Sequence, residues 1–338
     1  LLLLGFEVAS AAWGWIAGTA IAALLGLYFM EKKVGPIIFS KEQPVYQIKP
    51  LIKFSSPLII SGLIGTLLGW ADTGLLGYYM TDFEVGLYNA ALPTAMLILL
   101  PHRSIGSLAI SSFSELKERD EESIQDSLQT ATRWVFSIVL PTFLILLLYA
   151  EQVLKVLFGS EYVAASFALS ILAGGYLIDA TAGRVGSFLN SKGYTKYILY
   201  NNVAALTLNL ILNILLIPIY GIIGAAIATA SSTALTDILM AYEVWRKEKV
   251  ISTPFRKILK ISAVGLLPLI LVGGLDMMLF ANTPFWFIFP AGILYYLLYT
   301  VVFLKFIGLE EEEKNVFLRT GEKIGYRDTV AKILEKFE

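Results

Sequence analysis

Residues 54–80 read FSSPLIISGLIGTLLGWADTGLLGYYM, and how this stretch is read decides the fold. Helical throughout, it is about 40 Å long, enough to cross a hydrocarbon layer roughly 30 Å thick. A soluble helix of that length would carry a charged face, whereas here Lys53 and Asp82 lie outside and Asp72 is the one charge within. The stretch is therefore a membrane helix with an acid inside it.

Working outward, eight more stretches have the same character: 5–30, 86–110, 132–150, 163–189, 197–217, 221–245, 258–280 and 285–306. The composition agrees, since 57% of the 338 residues are hydrophobic and 16% charged, with a mean hydropathy of +0.70. A soluble domain carries about 25% charged residues, so a water-soluble enzyme is excluded. The chain is expected to be an all-α polytopic membrane protein with about nine transmembrane helices. The turns at 218–220 and 281–284 are so short that the helices they join are antiparallel neighbours.

The sequence has no cysteine and a single histidine, His102. Disulfides, thiolate metal sites and a cysteine nucleophile are thereby excluded, and no imidazole pair is available for a metal or haem. No Walker A loop is present, and the longest internal connection, 111–131, reads as a charged turn rather than a domain that could hold a sugar nucleotide. Neither an enzyme nor a nucleic-acid partner is expected.

Basic residues alternate between the two sets of connections. Lys32, Lys33, Lys41, Lys49 and Lys53, then Lys117 and Arg119, Lys192 and Lys196, and the run from Arg246 to Lys260 fall on one side; the opposite connections hold Lys155 alone. Because Lys and Arg accumulate in cytoplasmic loops, the basic side is taken as cytoplasmic, together with the tail. This organises the chain as 1–30, the last helix of an N-terminal lobe; 31–53, a linker; 54–246, a six-helix lobe; 247–307, two additional helices; and 308–338, a polar tail beginning with four glutamates from Glu310. The chain opens at Leu1 directly into a helix, which leads to the expectation of a fragment.

A faint internal repeat supports that division. Gly5, Ala9, Ala12 and the Glu31–Val34 run correspond to Gly221, Ala225, Ala228 and the Lys247–Val250 run. Two six-helix halves in the same orientation would produce this offset.

Ionisable groups inside a membrane are costly, so each is a candidate site. Asp72, Asp179 and Asp237 are candidates for ion coupling with H+ or Na+, since a buried carboxylate can take up a proton or coordinate a cation. For Asp72 a structural hydrogen bond between helices is the competing reading, and Asp276 and Glu7 are weaker candidates. Asp179 and Arg184 point about 140° apart on a helix and are not a natural pair. Arg103, Arg133 and Arg184 fall at similar depth on the basic side, where guanidinium groups would suit a phosphate or pyrophosphate entering from the cytoplasm. Snorkelling to the interface is the alternative. Asn202, Asn209 and Asn213 share one helix face; they either line a polar cavity and meet sugar hydroxyls or join helices.

Particular strings carry a resemblance. Lys53-Phe-Ser-Ser-Pro-Leu58 leading to Asp72-Thr73 and Leu76-Gly77, Glu84 through Ala91, Leu157 through Tyr162, Asn190-Ser-Lys-Gly193, and the run from Leu208 through Asn213 to Ala226 resemble the oligosaccharide flippases of the multidrug/oligosaccharidyl-lipid/polysaccharide (MOP) exporter superfamily. The resemblance implies the second six-helix lobe of a two-lobe MOP/MATE-like transporter plus two C-terminal helices. It further implies alternating access in the cytoplasmic membrane, with a polyprenyl-(pyro)phosphate-linked oligosaccharide moved to the outer leaflet for surface polysaccharide biosynthesis. The cationic cavity of such flippases fits Arg103, Arg133 and Arg184. The expected molecule is a monomer with no cofactor, in contact with membrane lipids, and other polysaccharide-assembly proteins are candidate partners. An ion-coupled multidrug or organic-cation antiporter of the same superfamily is the alternative, with an integral-membrane enzyme of polysaccharide assembly third.

Overall fold

The computed structural model describes residues 7–33, 48–100, 121–182, 185–280 and 283–308. Arg103, Arg184, His102, most of the linker and the tail after 308 lie outside the described residues. Every regular element among the described residues is helical. In lipid a backbone must satisfy its own N–H and C=O groups, and a helix does so within one segment.

The chain divides into two compact units, Leu1–Leu51 and Ile52–Glu338. The first holds α1 (Glu7–Lys33), apolar around its circumference and exposed along its described length, with Trp13 66% and Trp15 78% accessible. Such a helix is stable where the surrounding solvent is hydrocarbon. Lys32 and Lys33 close its last turn, where the helix dipole favours cations.

The second unit contains α2 (Ile48–Tyr79, from residue 52 onward), α3 (Asp82–Met96), α4 (Glu121–Leu148), α5 (Ala150–Phe158), a 3-10 turn (Ser160–Ala165), α6 (Ser166–Ala182), α7 (Val185–Ser191), α8 (Thr195–Tyr220), α9 (Ile222–Glu248), α10 (Phe255–Leu279) and α11 (Ile288–Phe306). Eight helices among the described residues are long and apolar enough to span a membrane. The ninth expected span, 86–110, is described only in part, through α3. At the centre, α9 packs on α8 and α6; α6 also meets α3 and α4, and α10 lies between α4 and α11.

Small residues set these approaches. A Cβ on Gly224 would stand 2.5 Å from the Leu216 carbonyl oxygen, and one on Gly175 would stand 2.8 Å from the backbone of Ala230. Glycine at both positions lets α9 close on α8 and α6.

The structure corrects three local readings. The charged turn expected over 111–131 is helical from Glu121, because Ile124 and Leu128 fall four apart and bury against Phe188, Leu189 and Val244 while Glu121 and Glu122 lead the helix. Arg133 therefore does not stand near a helix start. It lies about 18 Å into α4 and is only 3% exposed, so it does not snorkel. The turn expected at 218–220 is tighter: α8 continues through Pro218 to Tyr220, and Gly221, with φ +55°, makes the reversal while its N–H bonds the Ile217 carbonyl at 2.8 Å. The span read as 163–189 is divided into a 3-10 turn, α6 and α7.

Candidate functional site

Most of α2 is exposed apolar surface, but its narrow buried stripe includes Ser61, Asp72 and Leu76. The face turned to the bundle is thus partly polar, and Asp72, 2% exposed, is its centre. The Asn209 and Asn213 amides on α8 donate to Asp72 Oδ1 at 3.1 and 2.6 Å. On Oδ2, Tyr88 of α3 donates its hydroxyl at 2.6 Å, and Thr229 of α9 donates as well. Four helices meet at one carboxylate, and all four of these donors are neutral.

Such donors stabilise the charged form, and hydrogen bonds to a charged group contribute about 1.5–3 kcal/mol each. The surroundings are rich in further oxygen. Asn209 Oδ1 accepts from Asn213 at 2.9 Å, while Asn213 Oδ1 is buried with no hydrogen-bond donor. One carboxylate and two amide oxygens, with hydroxyls beside them, form a hard ligand set for a proton or a monovalent cation. Among the described residues no group of three or more Asp, Glu, His or Cys could hold a metal ion.

Of the three asparagines expected on one face, two meet Asp72. Asn209 and Asn213 are fully buried with their amides engaged, so in this conformation neither is presented to a sugar. Asn202, about 10 Å lower on α8, donates to Ser61 of α2 at 2.5 Å. It borders a second polar feature, a cavity of about 310 Å³ whose polar lining is Asp179, Ser187, Asn202, Thr233, Thr236 and Asp237. Asp179 on α6 and Asp237 on α9 both line it. Their site is about 12 Å along α9 from Thr229, so the three candidate acids form two centres.

Arg133 is buried and engaged with neighbouring groups. Arg103 and Arg184 lie outside the described residues. Asp276, the weaker candidate, accepts a hydrogen bond from Thr283 at 2.8 Å across the α10–α11 connection. Tyr88 and Thr229 were not legible as site residues, since neutral side chains on apolar helices do not interrupt a hydropathy pattern. Tyr88 does fall inside the Glu84–Ala91 string that carries the resemblance, which was the available signal.

Comparison with known proteins places this arrangement. The family model described as polysaccharide biosynthesis protein matches residues 1–167. Over that stretch, just under half of its length, the chain is similar to this family of polysaccharide biosynthesis proteins. One relative is a probable low-salt glycan biosynthesis flippase of Haloferax volcanii, 26% identical over 240 residues, covering 70% of this chain and 49% of that protein. The chain spans about half the length of the curated relatives it matches. Its fold is similar to that of a lipid II flippase whose structure was solved in an inward closed conformation, with a TM-score of 0.64 at 18% identity over 81% of this chain and 63% of that one. A multidrug resistance MATE family transporter in an outward-facing conformation aligns with a TM-score of 0.50 at 19% identity, over 85% of this chain and 68% of the other. The chain is a multi-pass membrane protein, and those of its relatives that carry a functional name are flippases and transporters.

Proposed function

We propose that this chain forms the ion-coupled lobe of a flippase that carries a polyprenyl-(pyro)phosphate-linked oligosaccharide from the cytoplasmic to the outer leaflet by alternating access. The observation that carries it is the Asp72 cluster, one buried acid bonded from three other helices. Binding a proton or sodium ion there alters the charge at the point where α2, α3, α8 and α9 meet, and that coupling can bias their packing between two states. The family match and the glycan flippase among the relatives support the cargo.

In this reading Arg103, Arg133 and Arg184 receive the phosphate, a role suited to bidentate guanidinium groups. Asn202 lines the cavity, which supports a contact with a polar ligand, whereas Asn209 and Asn213 bond Asp72. A second reading, an ion-coupled antiporter of organic cations, is favoured by the acidic lining of the cavity, which holds two carboxylates and no cationic side chain among the described residues.

The test is translocation by the full-length gene product in proteoliposomes, using a labelled polyprenyl-pyrophosphate saccharide and imposed pH or sodium gradients. Gradient-dependent transport lost in Asp72→Asn and reduced in Arg133→Ala, Arg103→Ala and Arg184→Ala is the expected result. Transport of an organic cation, with none of the lipid, would replace this reading by the antiporter.

A further inference from the structure

The junction of α9 and α10 carries six basic residues, Arg246, Lys247, Lys249, Arg256, Lys257 and Lys260, and one acid, Glu248. Both helices are long and apolar enough to span a membrane, so the junction emerges at the bilayer surface. It is a fixed strap rather than a slack loop. Ile251 donates its N–H to Gln125 and accepts at its carbonyl from Gln129, and the Ser252 carbonyl accepts from Thr132, all three partners being on α4. The Thr253 hydroxyl donates to the Thr181 carbonyl of α6. Val250, Ser252 and Pro254 are buried while Lys249, Ile251 and Phe255 are exposed, so alternate side chains anchor the strap and face outward.

The outward side joins charge to apolar surface. Phe255 and Leu259, 72% and 73% exposed, stand four residues apart on α10, and so do the exposed Arg256 and Lys260, so an apolar stripe runs beside a basic one. Lys249 takes a left-handed conformation, φ +57°, in which glycine is the least strained residue. Its N–H bonds the Trp245 carbonyl at 3.0 Å, and its Nζ lies 5.4 Å from the centre of the half-exposed Trp245 ring. The position thus keeps an ammonium group where a plain helix stop would use glycine. Lys247 Nζ lies 5.5 Å from the centre of the Tyr197 ring. Glu248 is committed to Lys192 and Tyr194, Glu243 accepts from Asn201, and Lys257 is engaged with a neighbouring group. Asp126 stands on the α4 turn that holds the strap, and one exposed carboxylate leaves the cluster positive.

We propose that the α9–α10 strap is a binding site for the phosphate of an anionic bilayer lipid. Arg246, Lys249, Arg256 and Lys260 meet the headgroup, while Trp245, Phe255 and Leu259 border its acyl chains. A soluble anion would use the charges and gain nothing from the apolar stripe; a zwitterionic lipid would use the stripe and bring no net charge to the basic cluster. An anionic lipid uses both. The headgroup chemistry is shared with a polyprenyl-(pyro)phosphate carrier, but none of these residues lines the polar cavity, and the stripe on α10 is open on the outside of the bundle. Because the strap is bonded to α4 and α6, a lipid held there fastens α10 to the lobe at the membrane surface. The site rests on the chain's spanning a membrane and not on the nature of the cargo.

Brominated lipids quench nearby tryptophan fluorescence and test this in phosphatidylcholine vesicles holding the full-length gene product. A minor share of brominated phosphatidylglycerol should quench more than the same share of brominated phosphatidylcholine, and the excess should vanish in Trp245→Phe, which assigns it to this site. Arg256→Gln combined with Lys260→Gln should bring the preference toward parity, by about fivefold for each charge removed, whereas Lys155→Gln on the opposite side leaves it unchanged. Circular dichroism checks the fold of each variant; if the double variant does not fold, the unsubstituted protein beside Trp245→Phe still decides. Equal quenching by the two lipids, or an excess that survives Trp245→Phe, would overturn the site. Loss of the excess to inorganic phosphate at constant ionic strength would overturn it in favour of a soluble anion, and loss to a trace of polyprenyl phosphate in favour of the carrier lipid. A preference for phosphatidylglycerol in a protein that moves no lipid-linked saccharide would sink the flippase reading and leave the site standing, whereas saccharide transport without the preference would do the reverse.

Discussion

Asn213 donates its amide to Asp72 at 2.6 Å while its own Oδ1, buried beside the carboxylate, has no donor. A single side chain thus satisfies the anion and leaves an acceptor vacant next to it. This asymmetry suits a site that exchanges a proton or cation better than one that only joins helices, because the large majority of buried polar side-chain atoms in folded proteins are matched.

Replacing Asp72 separates the two roles. Asp72→Ala leaves four buried donors without their acceptor and should lower stability by about 3–5 kcal/mol, the range for breaking a buried charged network. Asp72→Asn keeps the shape and part of the bonding, so it should unfold closer to the parent while losing gradient-driven transport. Thermal unfolding in detergent beside proteoliposome transport reads both; an Asn variant that still couples to the gradient would remove Asp72 from the mechanism.

Tyr88 and Thr229 share Oδ2 of Asp72, so their contributions should not add. Tyr88→Phe and Thr229→Val are each expected to cost about 1.5–3 kcal/mol, and the double variant to differ from the sum by at least ~0.5 kcal/mol. A double-mutant cycle by chemical denaturation measures the coupling, and strict additivity would show that the two hydroxyls act independently.

Gly224→Ala tests the approach of α8 and α9. The added methyl would overlap the Leu216 carbonyl oxygen, and the helices must part, at a cost of about 1–3 kcal/mol. A fall in Tm is expected, with Gly69→Ala as a neutral control because nothing lies within 4 Å of a Cβ there.

At the basic end, Glu248 accepts from the Tyr194 hydroxyl at 3.0 Å and lies 3.6 Å from Lys192 Nζ. Burial first, and then this bond to Glu248, holds the Tyr194 phenol above its ordinary range. A folded-state pKa raised above the unfolded one contributes stability below the ordinary phenol range, and that contribution is lost as pH rises through the folded value. Glu248→Gln should bring the tyrosinate absorbance change of Tyr194 to lower pH, and an unchanged titration, judged against Tyr194→Phe, would show that the carboxylate does not act on it. The effect on stability should be small, about 0–1 kcal/mol, as for other partly exposed pairs.

Much of the architecture was determined by sequence alone. An uninterrupted apolar run such as 54–80 can satisfy its backbone in lipid only as a helix, so length and hydropathy were sufficient to identify the spans, and Asp72 stood out as a charge no membrane segment carries without a reason. The asparagines at 209 and 213 were likewise visible, since helical spacing puts them on one face. Only tertiary structure decided what those groups do. The Asp72 partners on α8 and α9 lie 137, 141 and 157 residues away in the chain, and a stretch of sequence read alone cannot choose among the faces a distant helix might present. The same holds for Asp179 and Asp237, separate acids in the sequence that line one cavity where α6 packs on α9, and for Arg133, whose depth followed from Ile124 and Leu128 finding an apolar surface that extends α4. Helix formation is satisfied by hydrogen bonds within a few residues, whereas the protonation and partners of a buried charge depend on every element packed around it.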